Sequence, residues 1–302
     1  MKTKKTILIA GGTGLVGTPL TNQLRKKGHE VRVLTRGKSD ASKQLYNWDP
    51  KAESIDESAL ENVEIIINLA GAGIADARWT SKRKEVLINS RVVPALFLNS
   101  LVKKLPTFKQ YISASGINCY GYKQPDRLHQ ENDPYGDDFL SSVVKLWESA
   151  ADTMKPYGKV VKVRTSVVLS NDGGALPKIA SPIKKYFGAP LGNGNQPMPW
   201  ITIEDLIRIF EHAIDNELDG TYNALADNST NKIFTEKLAK QLRKPLWLPS
   251  VPSFVLKLFL GEMSILVLDG VQADNSKLKN TGFEFKYNSL EEAFEGVYRS
   301  PF

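Results

Sequence analysis

The chain has 302 residues, a formal net charge of +7, 24% charged residues and 41% hydrophobic ones. That balance excludes a disordered chain, which would lack the apolar surface to offset the entropy of ordering, and the length suffices for one large domain or two ordinary ones. One cysteine, Cys119, and three scattered histidines exclude an intramolecular disulfide and a cysteine-based zinc site, and no metal ligand set is evident.

The excess of lysine and arginine attracts anions in general. Three of the lysines sit in the first five residues, and no nucleic-acid motif accompanies the charge, so no nucleic-acid partner is expected. No apolar run reaches the roughly 18 uncharged residues that a membrane span needs. After the lysine-rich start the apolar run covers only residues 7–10, too short for a signal segment, so a mature cytoplasmic chain is expected.

In chain order, residues 6–10 read as a strand, residues 15–27 as a helix with Gly28 at its C-cap, and residues 31–35 as the next strand. Residues 63–70 form a near-continuous apolar run, the pattern of a strand buried on both faces of a parallel sheet. Residues 80–104 have helical periodicity, with a kink expected at Pro94. Residues 110–113 and 160–169 read as strands flanking a helix over 140–154. Such alternation predicts a doubly wound α/β sheet. Beyond residue 170 Gly, Pro and Asn cluster at 171–177 and 188–199. Helices follow near 204–215, 234–242 and 252–260, and a strand near 221–223. We therefore expect a nucleotide-binding domain over 1–170, joined by some later segments, and a smaller, mostly helical C-terminal lobe over 171–302. The apolar stripe Phe254, Val255, Leu258 and Phe259 is expected in the core.

The strongest motif is Gly11-Gly12-Thr13-Gly14-Leu15-Val16-Gly17. Between a strand and a helix, Gly11 permits a tight turn, Gly14 lets backbone approach a diphosphate, and Gly17 lets the helix pack close to the sheet. The helix start offers unpaired N–H groups and partial positive charge to the phosphates. After the second strand comes Thr35-Arg36-Gly37-Lys38, where an NAD site usually carries an acid for the ribose hydroxyls. A guanidinium there suits a 2′-phosphate, so NADP is expected rather than NAD.

Together with these residues, Asn68-Leu69-Ala70-Gly71-Ala72, Arg78-Trp79, Ser90-Arg91, Ser113-Ala114-Ser115 with Tyr120-Gly121, Trp147-Glu148, Arg164 with Val168-Leu169-Ser170, Gln196, Pro199-Trp200-Ile201 and Gly282-Phe283 span nearly the whole chain. In these the chain resembles the extended short-chain dehydrogenase/reductases, and within them an atypical, epimerase-like branch related to sugar-nucleotide epimerases. The resemblance implies a Rossmann-type domain, a C-terminal substrate lobe, and cofactor contacts from Gly11, Thr13, Gly14, Leu15, Val16, Gly17, Arg36, Leu69, Ala70, Gly71 and Ser113.

Active members of the wider superfamily use a tyrosine and a lysine four residues later, the lysine stabilising the phenolate. None of the ten tyrosines here has that lysine. Over residues 137–148 the tyrosine's place falls on Phe139, Leu140 or Ser141, and only the Ser141 register retains a lysine, Lys145. The remaining catalytic candidates are Ser115, in the place of the serine that holds the substrate oxygen, and Tyr120; each has a packing role as its alternative. Arg78, Gln196 and Trp200 are candidate substrate contacts. Trp200 would stack on a flat ligand or else anchor its loop, and Arg164 would act as a buried ion-pair partner. The reading is an NADP-dependent oxidoreductase or epimerase acting on a polar, sugar-nucleotide-like or other anionic metabolite. The alternative is a non-catalytic dinucleotide-binding sensor or assembly factor.

Overall fold

The computed structural model describes residues 4–299. The lysine-rich start therefore lies partly, at residues 1–3, outside the described residues. The elements begin β1 (Thr6–Ala10), α1 (Gly17–Lys26), β2 (Glu30–Thr35), β3 (Leu45–Asp49), β4 (Ser54–Ile55), β5 (Ile65–Asn68), α2 (Ser81–Val102) and β6 (Gln110–Gly116). There follow β7 (Leu128–His129), α3 (Phe139–Asp152), β8 (Lys159–Thr165), β9 (Val167–Leu169), α4 (Ala175–Lys184), β10 (Trp200–Thr202), α5 (Ile203–Asp215) and β11 (Gly220–Ala224). The chain ends with α6 (Asn231–Gln241), α7 (Ser253–Leu260), α8 (Ile265–Leu268), β12 (Gln272–Ala273), α9 (Ser276–Lys279) and α10 (Leu290–Arg299).

Eight strands form one sheet in the order β11-β8-β6-β5-β1-β2-β3-β4. All neighbours are parallel except the short β3–β4 pair. Strand β1 shows why so many apolar residues are needed. Ile7 and Ile9 face one core, shared with α1 and α5, and Leu8 and Ala10 face the other, shared with α2 and α3. Burial of both faces follows from the period of two along a strand. Helix α1 ends as its sequence suggests: Gly28 has φ +87° and donates to the Arg25 carbonyl at 2.9 Å. Helix α2 runs through Pro94 as a single helix of 22 residues. It is long and apolar enough to cross a membrane, yet it packs one face against α3 and the sheet.

Two sequence expectations are corrected. The run over 160–169 is two strands, not one. At Ser166 the backbone N–H and the hydroxyl both donate to the Ala224 carbonyl, and β9 leaves the large sheet to pair with β10. The stripe on α7 is not core: Phe254 and Leu258 are each 73% exposed and Phe259 70%. Helical spacing identifies a continuous apolar face, but nothing in the sequence says whether another element packs on it.

The chain after residue 170 is stitched to the first half. Strand β12 pairs with β7, while α5 and β11 return to the large sheet, with α5 packing on α1.

Candidate cofactor and substrate site

Strands β1 and β5 stay paired to their C-terminal ends, but the chain leaves them for opposite faces of the sheet, to α1 on one and α2 on the other, at the point where the strand order reverses. In an open α/β sheet the crevice at that point is the ligand site. The glycine loop occupies it. Gly11 has φ +77°, and a Cβ there would lie 2.8 Å from the Leu69 carbonyl carbon, so the loop rests directly on the chain leaving β5. A Cβ on Gly17 would lie 2.1 Å from the Gly11 oxygen. Gly12, which the spacing argument leaves without a role, is equally restricted, at 2.8 Å from Val33 Cγ1. Gly14 differs: a Cβ there would meet only the Gly11 oxygen, at 3.3 Å. The backbone at Thr13 and Gly14 is thus exposed and unobstructed at the start of α1, whose first turn carries no acid and whose N-cap has no side-chain hydrogen bond. A bare cradle opening on a helix N-terminus fits a diphosphate.

At the end of β2, the Thr35 hydroxyl accepts from Gly37 N–H at 3.1 Å, and the Gly37 carbonyl accepts from Asn47 Nδ2 at 2.7 Å. The turn is held, while Arg36 and Lys38 stand exposed with no hydrogen bond or ion pair among the described residues. Across the crevice, Leu69 N–H donates to the Ala10 carbonyl at 2.8 Å. The buried Asn68 amide shapes the turn, accepting from Ala70 N–H at 3.1 Å and donating to the Tyr111 hydroxyl at 2.9 Å. Sequence reasoning missed the positioning role of Asn68 and Tyr111. An isolated asparagine ending an apolar strand was the available signal.

The far end of the crevice, beyond β6, is organised by a buried ion pair. Glu148 on α3 receives Arg164 Nε at 2.8 Å and a second guanidinium N–H at 2.9 Å. Ser115 donates its hydroxyl to Glu148 at 2.5 Å, and Tyr135 donates at 2.7 Å. Arg164 also donates to the Tyr120 hydroxyl at 3.0 Å, and Tyr120 donates to Asn223 Oδ1 at 2.7 Å. Burial alone would push the Glu148 carboxyl up, but Arg164, Ser115 and Tyr135 outweigh it and hold the carboxyl below its ordinary range. Burial pushes the Tyr120 phenol and the Cys119 thiol up.

The structure places both expected catalytic residues, Ser115 and Tyr120, inside this network. They are 6% and 5% exposed, and their hydroxyls are engaged in the Glu148–Arg164–Asn223 network. Ser113 is likewise buried and bonds the Ala114 carbonyl at 2.9 Å. Ser141 and Lys145 form no catalytic pair. The Ser141 hydroxyl is buried against the Asn118 carbonyl and Asp138, whereas Lys145 is exposed.

Two of the three substrate candidates are buried. Trp200 is fully buried on β10 within the main core and presents no face to a ligand. Gln196 is buried, its amide nitrogen tying the Leu191 and Val267 carbonyls at 2.9 and 2.6 Å. Arg78 remains exposed beyond β5 and donates to the Leu258 carbonyl of α7 at 3.2 Å, joining the sheet edge to that helix. No group of three or more potential metal ligands occurs among the described residues.

The profile of the NAD dependent epimerase/dehydratase family matches residues 7–224, and a domain of unknown function, DUF1731, matches residues 251–297. An epimerase family protein of Staphylococcus haemolyticus is 37% identical over 304 residues, covering 97% of this chain and 99% of that protein. The crystal structure of the human epimerase family protein SDR39U1 with NADPH superposes with a TM-score of 0.87 at 30% identity, covering 97% and 99% of the two chains. A nucleoside-diphosphate sugar epimerase of Corynebacterium glutamicum gives 0.80 at 30% identity, over 98% of this chain and 59% of that one. The chain therefore belongs to the NAD dependent epimerase/dehydratase family, as an atypical extended short-chain dehydrogenase/reductase without the Tyr-x-x-x-Lys pair.

Proposed function

We propose that this protein binds NADP(H) and uses it on a small polar, anionic metabolite at the C-terminal edge of the large sheet. The carrying observation is the bare Gly11–Gly17 cradle, paired with an exposed Arg36 where NAD sites place an acid. The NADPH held by the human relative supports the same choice. When bound, the nicotinamide supplies hydride-transfer chemistry.

The chain's own residues do the following. Backbone at Thr13 and Gly14, with the start of α1, holds the diphosphate, and Leu15 and Val16 line its approach. Leu69, Ala70 and Gly71 form the opposite wall. Arg36 pairs with the 2′-phosphate. Arg78 attracts an anionic substrate. Glu148 and Arg164 keep the β6 end rigid and hold Ser115 and Tyr120 in place. The Tyr120 hydroxyl is buried and engaged with Asn223 and Arg164, and a phenol whose pKa burial raises is a poor proton donor near neutral pH, so the proton a carbonyl oxygen would gain on accepting hydride would come from solvent.

A second reading, a dinucleotide-responsive protein without turnover, is favoured by one observation: none of Ser115, Tyr120 and Ser141 offers a free hydroxyl. A screen of polar carbonyl substrates following NADPH absorbance separates the two. The first reading requires turnover with at least one compound, lost in a Gly14→Ala variant; a blank screen with a protein that binds NADPH selects the second.

Cofactor choice is tested by calorimetry with NADPH and NADH. Wild type should prefer NADPH, and Arg36→Asp should weaken NADPH binding by roughly tenfold or more, the worth of one charge-assisted contact, while leaving NADH less affected. An unchanged preference would remove Arg36 from the site.

A further inference from the structure

The described residues include three buried arginines on or beside the sheet. Arg32 pairs with Glu30 at 2.5 Å and Arg164 with Glu148 at 2.8 Å. Arg91, on α2 and 6% exposed, has no carboxylate partner among the described residues. Its hydrogen bonds go to neutral oxygens: the Leu87 carbonyl at 2.9 Å, the Ala72 carbonyl at 3.0 Å and the Ser90 hydroxyl at 3.4 Å. The Trp147 ring lies 5.1 Å from the guanidinium. Burial, with a smaller contribution from the like charge of Arg83, pulls Arg91 down to about 10, which leaves it a cation at neutral pH.

Its location gives that charge a purpose. A Cβ on Gly71 would lie 3.3 Å from the Arg91 guanidinium carbon, so the Gly71 backbone packs against the charge. Ser90 accepts from Ala72 N–H at 3.0 Å, so Ser90-Arg91 grips both sides of one residue. Two residues before Gly71, the Leu69 backbone touches Gly11 of the glycine loop. An unneutralised cation thus sits directly behind the wall of the nucleotide cradle, in a medium where charge is poorly screened. An isolated buried charge is costly, and an anion arriving nearby relieves that cost.

We propose that Arg91 is the buried counter-charge of the cofactor site, a positioning residue that both fixes the chain after β5 and favours the negative charge of the dinucleotide across it. The proposal rests on the NADP(H)-binding reading above. It does not require contact between Arg91 and the cofactor.

The test compares Arg91→Lys, which keeps the charge, with Arg91→Gln, which keeps a donor for the Ala72 carbonyl but loses the charge. NADPH affinity is measured by calorimetry at low and high salt, and melting of the cofactor-free proteins by calorimetric scan. Arg91→Lys should stay within about threefold of wild type, and Arg91→Gln should bind about tenfold more weakly while melting no lower than Arg91→Lys, the pattern of a lost charge of moderate reach. Equal weakening of both variants would show a clamp that depends on guanidinium shape and overturn the counter-charge. Wild-type affinity in Arg91→Gln would overturn it too. If Arg91→Gln fails to fold, Arg91→Met serves as the neutral variant, and failure of both while Arg91→Lys folds would assign the charge to stability and overturn the proposal. Wild-type protein that ignores NADPH would instead sink the underlying reading, and the proposal with it.

Discussion

Replacing Gly17 by alanine should weaken NADPH binding by roughly 100-fold or more and lower stability by about 1–3 kcal/mol, the usual cost of overpacking. The added methyl would lie 2.1 Å from the Gly11 oxygen and 2.6 Å from Gly12 Cα. Both neighbours are backbone, so no side-chain rotation relieves the clash. The loop must move, and it is pinned between Leu69 and Val33. Gly14→Ala is the informative control. Its methyl meets only one atom, at 3.3 Å, so the variant should unfold in urea close to wild type. Its methyl would nevertheless occupy space that the diphosphate needs, so NADPH binding should fall by a similar factor. Urea denaturation and calorimetry on the two variants separate fold from ligand. If Gly14→Ala bound NADPH like wild type, the cradle would have been placed wrongly.

The second large effect concerns the pair beneath the site. Arg164→Leu should cost roughly 3–5 kcal/mol, because it leaves the Glu148 carboxylate buried without its bidentate partner. The double variant Glu148→Leu/Arg164→Leu should recover much of that loss, since neither charge then remains. Stability should also depend on pH through this carboxyl. Its folded pKa lies below the unfolded glutamate value of about 4.3. Its contribution is therefore fully present above that unfolded value and is lost as pH falls through the lower, folded one. Urea midpoints measured between neutral and acidic pH should show this loss in wild type and a shallower acid limb in Glu148→Gln. Parallel curves would mean that another carboxylate dominates acid unfolding.

Local chemistry made much of the molecule legible. The apolar period of β1 and β5, the glycines between β1 and α1, and Gly28 after α1 each dictate a backbone geometry within a few residues, and the structure has that geometry. Arg164 was legible as an ion-pair partner because a charge inside an apolar strand needs one. Even the missing tyrosine–lysine pair is a property of the amino-acid order alone.

What order along the chain could not decide is which partner each side chain meets. Ser115 is occupied by Glu148, 33 residues away, and Tyr120 by Asn223, 103 residues away. Trp200 went into the core because β9 leaves the large sheet at Ser166 and draws β10 beside it. The α7 stripe stayed exposed because, among the described residues, none of the helices that follow it covers that face. A residue's own chemistry sets what it can do, and its neighbours from distant parts of the chain set whether it is free to do it. Hydroxyl groups, aromatic rings and apolar stripes have many acceptable surroundings, so only the packed structure chose among them. Backbone turns that admit glycine alone have few, and for these the amino-acid order was sufficient.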